Sequence, residues 1–168
     1  MTIGQGMAQE LEHSAVSARK ALDRVPEDKF DWTPHPKSMT FIKLASHIAE
    51  SLGWAKYTLD TSEMDVEPAD GPKHEPYVAK SKHDLLEAFD KNLAEAIGAL
   101  KGVSDATLAE IWTMKKAGEP MFVMPKVVVM RGFILDHLAH HRAQLGLYLR
   151  LNDISVPALL GPSADEES

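Results

Sequence analysis

The chain contains no cysteine. Disulfides, cysteine–zinc sites and a cysteine nucleophile are therefore all excluded, and any metal must be held by nitrogen or oxygen. There is no apolar run near the roughly 18 to 20 residues that cross a bilayer, nor a basic segment leading into an apolar stretch at the start. The expectation is a soluble, unexported, cytoplasmic protein with no membrane partner. Basic clusters are missing as well. The 18 Lys and Arg are scattered, 25 Asp and Glu outnumber them, and the formal charge is −7. No footprint for a phosphate backbone is visible, so nucleic-acid binding is disfavoured. What is present is globular composition: 44% hydrophobic and 26% charged residues over 168 positions are enough for one domain, 1–168, with its own core.

Helical periodicity dominates. Ile3, Met7, Leu11, Ala15, Ala18 and Leu22 recur at spacings of three and four, predicting a first helix that ends before Pro26. Two prolines in the stretch from Asp31 to Ser38 predict an ordered loop, because each pushes the residue before it out of the helical region. A second helix is expected from Ser38 or Thr40 to about Leu59, with Phe41, Leu44, Ala45, Ile48, Leu52 and Ala55 as its stripe. Residues 61–80, holding Pro68, Gly71, Pro72 and Pro76, read as a long surface connection. A third helix should start at Ser81, with Asp84 completing a capping box, and stop near Gly102. Between Leu108 and Met124 the pattern suggests a short hairpin turning at Gly118. A last helix from Pro125 to about Leu151 would be roughly 40 Å long at 1.5 Å per residue. Four amphipathic stripes can be buried only against one another, which predicts an all-α four-helix bundle. The tail after Pro157 is expected to lie at the surface or fray.

The eight histidines are unevenly placed. On a helix, His137 and His141 are four apart and share a face, so both imidazoles can point at one ion. Ile134, Leu138, Leu145 and Tyr148 share that face, which would place the ion inside the protein. His140 turns away, with Asp136 four residues earlier to hold it, although an i, i+3 pair of His137 with His140 stays open at this point. A third ligand must come from another helix, and His47, mid-helix beside Leu44 and Ile48, is the candidate. A lone buried imidazole without a partner would cost about 1 to 3 kcal/mol. His13, His35, His74 and His83 fall on polar or loop positions. Each part has a plainer interpretation: an i, i+4 histidine pair is often a solvated accident.

The pieces Trp32-Thr33-Pro34, Met39-Thr40-Phe41-Ile42-Lys43-Leu44-Ala45-Ser46-His47-Ile48, His137-Leu138-Ala139-His140-His141-Arg142-Ala143-Gln144-Leu145, and the tail from Val156-Pro157 to Gly161-Pro162-Ser163-Ala164-Asp165-Glu166 together resemble the DinB/YfiT-like superfamily. Ala143 departs from the glycine that many members carry after the arginine. The resemblance implies a bundle of up-down-down-up order and one metal, usually nickel or zinc. Its ligands would be a helix-two histidine, matching His47, and a His-x3-His pair, matching His137 and His141. It also implies thiol-dependent transferase or isomerase chemistry in some members, with a low-molecular-weight thiol as cosubstrate.

Three neutral imidazoles leave a 2+ ion with an open position, the arrangement that acidifies bound water. Nitrogen ligands admit zinc, nickel, iron and manganese alike. Glu50, three residues after His47, points in roughly the direction of a general base, although its plainer reading is a supporting or exposed carboxylate. Gln144 lines the pocket, fixes a ligand ring or simply packs, and Trp32, Trp54 and Trp112 are core aromatics, one of which could wall the pocket. The expected function is a metal-dependent hydrolase or thiol-dependent transferase acting on a small molecule. The competing expectation is a non-catalytic, stress-related binding bundle with a structural metal or none. The abundance of Met and aromatics, with the pairing common among related bundles, adds the expectation of a homodimer.

Overall fold

The computed structural model describes residues 1–166. Four long helical stretches carry the core: α1 (Ile3–Asp23), α2 (Phe41–Asp60), α3 (Lys82–Gly102), and a last stretch made of α5 (Lys126–Val129), a π-helical segment (Met130–Leu135) and α6 (Asp136–Leu151). A one-turn helix, α4 (Asp105–Ala109), precedes a hairpin of β2 (Ile111–Lys116) and β3 (Glu119–Pro125). Helix α2 packs against α3 and α6, and α1 packs against the same two. The stripes expected for the first two helices are buried, with Ile3 the exception at 49% exposure, and on α3 Leu85, Phe89 and Leu100 are buried while Leu93 and Ile97 are partly so.

The helix starts are set by side-chain oxygens that accept the first free backbone N–H groups. Thr2 and Gln5 form a reciprocal capping box on α1, and Thr40, rather than Ser38, caps α2. Ser81 accepts from the Asp84 amide as expected, but Asp84 returns its carboxylate to the Lys80 amide at 2.8 Å instead of closing the box on Ser81.

The protein is not purely α. The connection after α2 contributes β1 (Glu63–Asp65), which pairs in parallel with β2, while β2 and β3 pair antiparallel. The hairpin expected from the sequence is present. Its two-residue turn places Ala117 (φ 51°) and Gly118 (φ 81°) in the left-handed region, the double positive φ of a turn whose twist matches the strands. Asp65 reaches from β1 and accepts from the Ala117 and Gly118 amides at 3.1 and 2.7 Å, tying β1 to the turn. The connection crosses α2 instead of looping free: Ala79 is buried and its amide donates to the buried Ser46 hydroxyl at 2.9 Å. A three-residue strand leaves no periodicity to detect, and its partner lies some fifty positions away, so residues 61–80 looked structureless.

The last helix is also not uniform. On an α-helix Val129 and His137, eight apart, would drift about 80° around the axis. The wider π turn between them holds Val129, Phe133, Ile134 and His137 along one wall. Lys126, 3% exposed, begins this stretch and donates to the Leu59 carbonyl at 2.9 Å and to Glu110 at 3.1 Å, fixing the hairpin's exit to the end of α2. Beyond Pro157 the chain is tied to α6, where Asp165 pairs with Arg150, and to the end of α1, where Glu166 pairs with Arg24. Residues 167 and 168 of the expected surface tail lie outside the described residues. No helix among the described residues is long and apolar enough to cross a membrane.

Candidate metal centre

His47 projects from α2 and His137 and His141 from α6, and the three bring one ligand nitrogen each to within 4.8 Å of one another. The Nε2 atoms of His47 and His137 are 2.7 Å apart. Ring centroids are separated by 4.9 Å (His47–His137), 4.7 Å (His47–His141) and 4.4 Å (His137–His141). The helical spacing does what the sequence suggested, and the packing of α2 on α6 supplies the third ring. His140 is exposed, stands edge-on to His141 at 4.8 Å, and takes no part in the cluster. Asp136 is exposed too, and no hydrogen bond joins it to His140 among the described residues.

Burial keeps these rings neutral. His137 is lowered to about 4, first by desolvation and then by the neighbouring rings of His141, His47 and His140. His47 is lowered by burial, partly offset by the Glu50 charge, and His141 by burial, partly offset by Gln144. Neutral imidazole is the ligating form, so the cluster is held in the state a cation requires.

Gln144 orients one ligand. Its Oε1 lies 2.7 Å from His141 Nδ1, and with Nδ1–H donating, the lone pair of His141 sits on Nε2, facing the other two rings. The donor set fits a divalent ion. Metal–nitrogen bonds of about 2.1 Å at tetrahedral angles place ligand nitrogens about 3.4 Å apart, so His47 and His137 would part by about 0.7 Å and nitrogens at the 4.8 Å limit of the cluster would close by about 1.4 Å. Side-chain torsions absorb such a change.

Glu50 faces elsewhere. Its carboxylate accepts from the Tyr77 amide at 3.2 Å and stands 3.4 Å from His74 Nε2, in an open groove that also takes in Gly53, Tyr57 and Asn92. It fastens the connection to α2. His13, His35, His74 and His83 are exposed, as their positions suggested, and His74 also stands edge-on to Trp54, with ring centroids 5.1 Å apart.

Beside the cluster lies a cavity of about 150 Å³ bordered by His47 and His137. Trp54 and Trp112 both wall it, while Trp32 packs away from it against Phe41 and Tyr148. Met114 and Phe122 of the hairpin and Phe133 of the π segment complete the walls. None of these three was apparent as a site residue. Alternation along β2 and β3 showed which residues share a strand face, but not that this face roofs the histidines.

Comparison with known proteins agrees with the geometry. The chain is 25% identical over 157 residues to the uncharacterized protein YrdA of Bacillus subtilis (strain 168), covering 92% of this chain and 86% of that one. Its fold is similar to that of a DinB-like protein from Bacillus cereus ATCC 10987, with a TM-score of 0.68 at 20% identity, covering 90% of this chain and 94% of the other. It is also similar to the DinB-like protein YjoA from Bacillus subtilis, with a TM-score of 0.70 at 13% identity, covering 94% and 99%. The model of the DinB superfamily matches residues 10–145, a span holding all three clustered histidines and Gln144, and the chain belongs to that superfamily.

Proposed function

We propose that this protein holds one divalent transition metal, nickel or zinc foremost with iron or manganese admissible, through His47, His137 and His141. We propose further that it is a metal-dependent hydrolase or thiol-dependent transferase acting on a small molecule. The observation that carries this reading is the convergence of three half-buried imidazoles at the edge of a cavity, with two Nε2 atoms 2.7 Å apart. When bound, the ion would supply Lewis acidity toward water or a thiol. The protein's own part is to keep the imidazoles neutral, to hold His141 in register through Gln144, and to exclude bulk water with Trp54, Trp112 and the hairpin. A general base is the role left open for Glu50, which must first release the Tyr77 amide.

An accessible cavity at the ligands favours the catalytic reading over a structural metal. A site sealed by aliphatic side chains would have favoured a non-catalytic bundle. We propose the up-down-down-up order for α1, α2, α3 and α6. We also propose a cytoplasmic homodimer; light scattering that reports the 18.5 kDa of one chain at micromolar concentration would refute the dimer.

Metal analysis of protein prepared without a histidine tag or chelating column tests the centre. Close to one equivalent is expected, falling well below that in His47→Ala, His137→Ala and His141→Ala and unchanged in His140→Ala. A cobalt-substituted sample tests the open position: a visible spectrum indifferent to azide or a millimolar thiol would sink the catalytic reading.

A further inference from the structure

The lining of the cavity selects what can enter it. Four aromatic side chains, Trp54, Trp112, Phe122 and Phe133, line it together with Met114, Val129 and Ile134. Phe122 and Phe133 stack at 4.8 Å and Trp112 leans on Phe122 at 6.0 Å. Among the described residues no Lys, Arg, Asp or Glu borders the space, and Ser51 has already given its hydroxyl to the Ile48 carbonyl at 3.0 Å. A charged or strongly hydrated group entering here would surrender its water and find few partners, whereas an apolar one gains by burial. A volume of about 150 Å³ matches that of an apolar protein cavity known to take up benzene. The polar side chains in the lining are those of His47 and His137, which belong to the cluster, and of Ser51 and Thr58 along α2.

We propose that this cavity binds the apolar, phenyl-sized body of a small ligand whose single metal-binding head atom reaches the ion at the edge formed by His47 and His137. The inference rests on the metal reading above and adds the ligand class. Selectivity resides in the body, through the hairpin and the π segment, and anchoring resides in the head. A ligand carrying charge beyond its head atom is rejected for want of partners along the wall.

The test uses the full chain loaded with zinc and titrated with phenylmethanethiol and 2-mercaptoethanol, which share a thiol head and differ in body. Emission from Trp54 and Trp112, both in the wall, reports occupancy without any assay of turnover. Phenylmethanethiol should bind at least about 10-fold more tightly, a difference of about 1.4 kcal/mol. Val129→Phe, which fills the space from the α5 side, should abolish that preference while zinc content and 2-mercaptoethanol affinity persist. Phe133→Ala, at a wall residue that is 40% exposed, should reduce the preference severalfold and covers the case in which the Val129 variant does not fold. Equal affinity for the two thiols in zinc-loaded protein overturns the ligand class and leaves the metal reading standing. A preference unchanged in both variants overturns the placement of the ligand body. A chain that takes up no zinc refutes the metal reading, and the anchored ligand with it.

Discussion

Gln144 offers a sharp test of how the centre is built, because its contact with His141 can be altered without touching a ligand. The side chain is half-buried on α6, three residues after His141, and its Oε1 is 2.7 Å from Nδ1. Removing the acceptor in Gln144→Met keeps the side-chain volume close to that of Gln but frees His141 to rotate and to carry its proton on either nitrogen. Loss of such an outer contact typically lowers metal affinity about 10- to 100-fold, or about 1.4 to 2.7 kcal/mol. Gln144→Glu should act in the opposite direction, because a carboxylate can only accept, locks the Nδ1–H tautomer and makes Nε2 a stronger donor. The ordering Glu, then Gln, then Met is the signature of an acceptor at this position. It is measured by competition for zinc against a chromogenic chelator at fixed pH, with circular dichroism confirming that each variant is folded. If Met binds zinc as well as Gln, or if Glu binds more weakly than Gln, then Gln144 does not orient His141.

Metal-free protein should lose stability in acid. His137 sits at about 4 in the folded state against about 6.5 unfolded, so below 6.5 the unfolded chain binds the proton and the folded one resists it. The contribution is fully present above pH 6.5 and is lost as pH falls toward 4; discounted for a half-exposed ring it amounts to about 1 to 2 kcal/mol, and His137→Asn should flatten thermal midpoints measured across that window. In the hairpin, Ala117→Asn should raise stability by about 0.5 to 1 kcal/mol in urea unfolding, since Asn tolerates the left-handed conformation that Ala117 is forced to adopt at φ 51°. Arg142 is buried on α6 and donates to the Ser14 carbonyl at 3.0 Å and the Ser17 hydroxyl at 2.7 Å on α1. Arg142→Ala should cost about 2 to 4 kcal/mol through lost charge-assisted bonds and lost packing, without changing zinc stoichiometry; an unchanged midpoint in urea would refute this.

Much of the design follows from local chemistry and is legible in the chain. The three- and four-residue spacings fixed α1, α2, α3 and α6, because a helix needs only its own stripe to reveal its buried face. His137 and His141 share a face for the same reason, and His47 betrayed itself as a polar ring within an apolar stripe. Gly118 marked the turn because few residues accept positive φ. Other features depend on partners distant in sequence. β1 exists because Glu63, Met64 and Asp65 meet Thr113, Met114 and Lys115, and three residues carry no period by which to find them. The direction of Glu50 was decided by the Tyr77 amide and His74, which the folded connection brings to it. The π turn before His137 depends on packing that the hydrophobic pattern does not encode, since the same apolar residues would suit an unbroken helix. The cavity belongs to no segment: α2 supplies Trp54, β2 Trp112, β3 Phe122 and the π segment Phe133, so only their assembly in three dimensions places an aromatic wall beside the histidines.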